Sequence, residues 1–208
     1  GTGSYYLWIL ATDNAGNQTI TRSNVFNLDN TAPTCSISGN PTSWTTSATL
    51  TATGTDTGGS GLSSVVFTGT TSASKTVTSN GSVSATVTDK AGNTNTCSAN
   101  VTKIDTDAPK PNVFANFGSN WSAYGVIESD TLTRYDVLLI MESTDGKSGL
   151  DHYEYQLEGT NTWTNINKFP AIDSSISTNG ERVQFWIRRT GTWNIYIRAV
   201  DKLGNVSE

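Results

Sequence analysis

The sequence predicts an all-β chain built of tandem β-domains, and three observations carry that prediction. First, charged residues make up only 15% and hydrophobic residues 35% of the chain, and Thr, Ser, Asn and Gly fill much of the rest. That composition favours strands and tight turns, and no window carries a 3.6-residue apolar period that would call for a helix. Second, the five-residue pattern Asp-x-x-Gly-Asn occurs at Asp13, Asp89 and Asp201, each time directly after a segment of period-two alternation. Third, two unrelated markers recur at one interval. Asp13 and Asp89 are 76 positions apart, and so are Asp29 of "LDNTAP" and Asp105 of "IDTDAP". A shared offset of this kind marks an internal repeat.

The elements follow in order. Counting back by twos from each turn gives Ala11, Ile9, Leu7 and Tyr5, then Val87, Ala85 and Val83, then Ala199, Ile197, Ile195 and Trp193. The face between them varies, with Thr12, Leu10 and Trp8 in the first copy and Thr88, Thr86 and Ser84 in the second. One constant apolar face at period two predicts a strand lying on a core. Each Asp-x-x-Gly-Asn then reads as a hairpin turn, with Gly supplying positive φ and Asp or Asn bonding nearby backbone. Upstream, "DTGGSGLSSVVF" (56–67) matches "DGKSGLDHYEY" (145–155), and Ser-Gly-Leu opens a strand in both. The stretches "SATLTATGT" and "YDVLLIMES" read as the strands before these. Leu62 and Asp89 are 27 positions apart, whereas Leu150 and Asp201 are 51 apart. The last segment therefore carries an insertion, whose "NTWTNINKFP" and "ERVQFWIRR" read as extra strands and a longer loop.

Three segments result: 1–30 as the last two strands of a truncated unit, 31–105 as a complete unit, and 106–208 as a larger unit with an insertion and no final strand. In this reading the chain is a window on a longer array. The 1–30 hairpin could instead pair with a neighbouring copy by strand exchange, because an unpaired sheet edge invites such pairing.

Charge and apolar runs exclude two classes of partner. The net charge is −5, and Arg188-Arg189 is the densest basic stretch, so a nucleic-acid partner is not expected. No apolar run is long enough for a spanning helix, and membrane insertion is not expected. The two cysteines, Cys35 and Cys97, have no CxxC or zinc-ligand spacing. Flanking one segment, they read as a disulfide formed in an oxidising, extracellular setting, with two free buried thiols as the alternative.

No catalytic constellation stands out, so no enzyme and no catalytic residue is predicted. His152, the single histidine, sits beside Asp151 at a strand start, and no Gly-x-Ser-x-Gly elbow accompanies it.

Taken together, the strand ends "ATDNAGN", "VTDKAGN" and "AVDKLGN", the linkers "DNTAP" and "DTDAP", and the strand-opening "SGL" resemble bacterial immunoglobulin-like repeats of cell-surface, adhesin-type proteins. The resemblance covers nearly the whole chain and is weakest over the insertion. It implies tandem immunoglobulin-like sandwiches of seven strands each, located at the cell surface or secreted. It also implies that Cys35 and Cys97 lie on the first and last strands of one unit, side by side. The incoming linker would share one end of the sandwich with the final turn, which gathers Asp105, Asp107, Asp145 and Asp201, and in the preceding unit Asp29, Asp56 and Asp89. Such carboxylates suit Ca²⁺ at a domain junction, while the plainer reading is that each Asp caps its own turn. No other cofactor is expected.

Aromatics are dense in the third segment: Trp121, Tyr124, Trp163, Trp186, Trp193 and Tyr196. Alternation puts Trp186 and Tyr196 on outward faces, as a candidate strip for stacking on sugar rings. The expected role is a structural and adhesive stalk segment that spaces or presents other domains, with neighbouring units of the same protein as partners. A ligand-binding module for glycan or a host surface protein, in the third segment, is the alternative.

Overall fold

The computed structural model describes residues 1–117, 120–123, 137–166, 177–179, 182–187 and 194–207. These contain eighteen strands, every pairing antiparallel, and no α-helix. The chain divides into two compact units: unit 1 holds residues 1–43 and 47–104, and unit 2 holds 44–46 and 105–208.

Unit 1 begins with a long hairpin. Strands β1 (Gly3–Tyr5) and β2 (Trp8–Thr12) return as β3 (Gln18–Arg22) and β4 (Phe26–Leu28), giving the pairs β2–β3 and β1–β4. Beyond the hairpin lie β5 (Ser36–Ser38), β6 (Ala48–Thr53), β7 (Leu62–Phe67), β8 (Ser74–Val77), β9 (Gly81–Asp89) and β10 (Thr94–Val101). They form two three-stranded sheets, β5-β6-β8 and β10-β9-β7. Inward residues of both sheets, Leu50, Ala52 and Val77 from one and Phe67, Ala85 and Val101 from the other, make a single core with Ile104. This is a sandwich of six strands, not the seven that the resemblance implies. Residues 68–73 form a turn held by Thr70, whose hydroxyl donates to the Phe67 carbonyl, and no further strand fits between β7 and β8.

The Leu-x-x-Val-x-Phe spacing of β7 has a structural cause. Its pairing with β9 shifts between Leu62 and Ser64, so a bulge absorbs one residue and returns the following apolar positions to the core. Strand β14 (Leu150–Leu157) repeats this at Leu150 and His152 in its pairing with β18 (Ile195–Asp201).

Cys35 and Cys97 form a disulfide with a Cα–Cα distance of 5.5 Å. Its placement corrects one expectation. Cys97 lies on β10, but Cys35 immediately precedes β5, which pairs with β6 in the opposite sheet. The bridge therefore fastens one sheet to the other.

Unit 2 is likewise built of two antiparallel sheets. Strands β11 (Lys110–Phe117), β12 (Asn120–Ala123), β13 (Val137–Thr144), β16 (Ser177–Asn179) and β17 (Arg182–Ile187) form a sheet ordered β12-β11-β13-β17-β16. Strand β15 (Thr164–Asn165) adds to the edge of β14, giving β15-β14-β18. The insertion thus contributes strands to both sheets. The core gathers Leu139, Met141, Tyr153, Tyr155, Ile166, Val183 and Ala199. After the Asp201 turn, Val206 makes a single bridge to Val200.

Candidate functional site: two aspartate knots

The Asp-x-x-Gly-Asn turn has the same internal wiring in all three copies. The amide of Asp13, Asp89 or Asp201 donates to the carbonyl of the Asn four residues on, at 3.0, 3.0 and 3.1 Å. That Asn returns its backbone N–H to Oδ1 of the Asp and its side-chain amide to Oδ2. Gly16, Gly92 and Gly204 all take positive φ, which a side chain would resist. The motif is a self-sufficient turn written into five residues.

In two copies the turn is joined by further carboxylates. Oxygens of Asp29, Asp56 and Asp89 lie within 4.8 Å of one another in unit 1, as do those of Asp105, Asp145 and Asp201 in unit 2. Each cluster is bound by one pattern of donors. The N–H of Ser60 or Ser148 donates to the linker aspartate, Asp29 or Asp105, at 3.1 and 3.0 Å. The Ser hydroxyl and the next Gly N–H donate to Asp56 or Asp145. The turn asparagine, Asn93 or Asn205, gives its amide to the linker aspartate's carbonyl, at 2.9 and 3.3 Å. Three separate stretches of sequence are thereby tied at one end of each sandwich. The glycine at 58 is required locally, because an added Cβ would collide with the Asp29 carboxylate.

The knot of unit 2 is the more deeply placed. Asp105 and Asp201 are almost wholly buried. Burial pushes the carboxyls of Asp105 and Asp201 up, but hydrogen bonds outweigh it and hold both below the usual carboxylate range. For Asp105 those come chiefly from Ser148, and for Asp201 from Asn205 and then Ser148. The Ser148 hydroxyl lies 2.9 Å from both Asp145 Oδ2 and Asp201 Oδ2, with one proton to give. Asp107 stands apart from this group: it is exposed and pairs with Lys147 Nζ at 2.5 Å, and Lys147 also lies 3.8 Å from Asp105. Lys147 is held above its usual range mainly by that bond to Asp107. The groove beside the knot is lined in part by Asp107, Lys110, Asp145 and Lys147, of which Asp107 and Lys147 are paired with each other.

All twelve carboxylate oxygens of the two clusters accept a hydrogen bond from their own unit. A calcium shell wants six to eight oxygens. The oxygens here are met by N–H and O–H groups, as in a capped turn, and the three carboxylates of each cluster also lie close enough together to offer ligands to a cation.

The aromatic candidates separate. Tyr196 lies on β18 with 52% of its surface exposed, whereas Trp186 lies in β17, in the other sheet of unit 2. The side chains of Trp186 and Trp121, and all of Tyr124 and Trp193, lie outside the described residues. Trp163 is half-buried under the Arg198 guanidinium, 4.2 Å from its ring centre, and Arg198 also pairs with Glu154 at 2.6 Å. Sequence reading missed this stack, because the residues come from distant segments; only the outward parity of Arg198 hinted at it. His152 is set between Asp151, at 2.6 Å, and Glu154, at 3.5 Å. Its Nδ1 faces the carboxylate of Asp151 and its Nε2 that of Glu154.

No family model matches the sequence, and no curated protein matches it.

Proposed function

We propose that the chain is a structural and adhesive stalk segment of an extracellular bacterial surface protein, resembling immunoglobulin-like repeats, which spaces or presents other domains. The observation that carries this reading is the duplicated knot. Each unit has its own core and its own three-carboxylate tie, and the polar groups gathered there are spent on each other. Such repetition multiplies architecture without building a reactive centre, and no enzymatic activity is proposed. The disulfide and the lack, among the described residues, of a helix able to cross a membrane are in keeping with an extracellular setting.

Single-molecule stretching tests it. Both units should resist force, and unit 1 should gain length on reduction, because the bridge shields a loop spanning 62 positions. The added extension is roughly 200 Å at ~3.5 Å per residue. Units that unravel at the lowest measurable force would end the stalk reading.

Calcium at the knots is the competing use of the same carboxylates. Followed by thermal unfolding, Ca²⁺ titration is expected to leave both midpoints in place. A bound ion at a hundredfold excess over Kd would add about 2.7 kcal/mol and raise them visibly.

A second reading, glycan or host-protein binding by unit 2, is favoured by exposed Tyr196 on the same strand face as the Arg198–Trp163 stack. A folded sample that is silent on a glycan array and against host surface proteins would remove it.

A further inference from the structure

We propose that the apolar face of the β1–β4 hairpin is a docking surface for a half-sandwich of this same repeat type, four strands patterned like β5–β8. The argument rests on position-by-position equivalence at the 76-residue offset. Ile9 corresponds to Ala85 and Leu28 to Ile104. In the complete sandwich those two are 0% and 2% exposed; in the hairpin their counterparts are 49% and 45% exposed. Between β2–β3 and β1–β4 the hairpin pairing shifts by one, so Phe26 lies opposite Tyr5. The turn at the tip is the same, so the difference lies in what covers the strands.

What covers β9 is known in detail. Strand β7 pairs along its second edge, and Leu50, Ala52, Phe67 and Val77 close over its inner face. Among the described residues, strand β2 pairs with β3 alone. A bare edge is a template for another strand, and apolar surface of this extent is unusual on a free protein.

The two faces of the hairpin are not alike, and this selects the docking side. On one, the Arg22 guanidinium lies 4.4 Å from the Tyr6 ring centre and 5.7 Å from that of Trp8, so a charge is laid over the aromatics. The other carries Tyr5, Leu7, Ile9 and Ala11 and no charge, with Tyr5 stacked on Phe26. That face matches the inner face of β9. An uncharged alternating strand such as "LSSVVF" (62–67) fits beside it. A second folded copy is a poor donor, because its own β5–β8 are committed to its own β9 and β10.

The test adds a peptide of residues 31–80, which carries β5–β8, to the full chain. Hydrogen exchange at 8–12 should slow about tenfold or more at saturation. Replacing both Leu7 and Ile9 by Glu should weaken binding at least about tenfold, since each contributes a buried aliphatic side chain. The same variant should leave the unfolding midpoint of unit 1 in place, because neither residue belongs to its core. Absence of binding, or binding that survives the double substitution, overturns the proposal. So does a chain that sediments as a dimer and becomes monomeric on Ile9→Glu, which would assign the face to a second copy.

Discussion

A chain with Cys35→Ser and Cys97→Ser unfolds unit 1 at a free energy about 4 kcal/mol lower than the oxidised chain, while unit 2 is unmoved. The figure comes from loop-closure entropy for two residues 62 positions apart. Its weight follows from how little else holds the two sheets together. The shared core is seven buried residues, two of them alanine. Small domains are stable by only about 5–15 kcal/mol in total. The bridge also joins β10 to the segment entering β5, strands of opposite sheets, so its loss frees the sandwich to open like a book. Hydrogen exchange resolved by peptide in increasing urea measures each unit separately. Equal protection of unit 1 with and without the bridge would show that the sheets are held by packing alone.

Asp201→Ala costs unit 2 roughly 3 kcal/mol or more, whereas the same change at Asp13 costs far less. Both aspartates close the same turn. Asp201, however, is buried and accepts from Leu203 N, Asn205 N, the Asn205 side chain and Ser148, and removing it strands those donors away from water. Around exposed Asp13, water replaces what is lost. The pH dependence has a definite sign. With the folded carboxyls of Asp105 and Asp201 below their unfolded value, the stability they contribute is fully present above about pH 4 and is lost as pH falls through the folded values. Asp201→Asn should flatten that acid limb. Urea midpoints of unit 2 between about pH 7 and pH 2 give the acid limb, the midpoint of unit 1 gives the cost at Asp13, and an equal cost at Asp13 and Asp201 would mean burial is irrelevant to the turn.

The parts legible in the sequence share a physical basis. Strand faces were readable because alternation records which side meets the core, as at Val83, Ala85 and Val87. The grouping of Asp29 with Asp56 and Asp89 was readable because the resemblance puts linker, loop and final turn at one end of the sandwich. Features decided by single tertiary neighbours were not. Asp107 looks like a fourth member of its group, but Lys147 draws it outward, at a loop position where unit 1 has glycine. Trp186 lies on β17 and Tyr196 on β18, and alternation along a strand says nothing about which sheet that strand joins. The resemblance sets Cys35 and Cys97 on neighbouring strands, whereas β5, which follows Cys35, pairs with β6 in the sheet opposite β10.

The turn at Asp13 is wired as fully as the one at Asp89 although no core lies beneath it. Its closure therefore needs only residues a few places apart, and hairpins of that kind zip in about 1–10 μs. Each Asp-x-x-Gly-Asn is thus suited to act as a local seed from which the final two strands register before distant partners arrive. A long polypeptide of such modules can acquire its correct pairings one seed at a time, with little opportunity for strands of neighbouring modules to cross-pair.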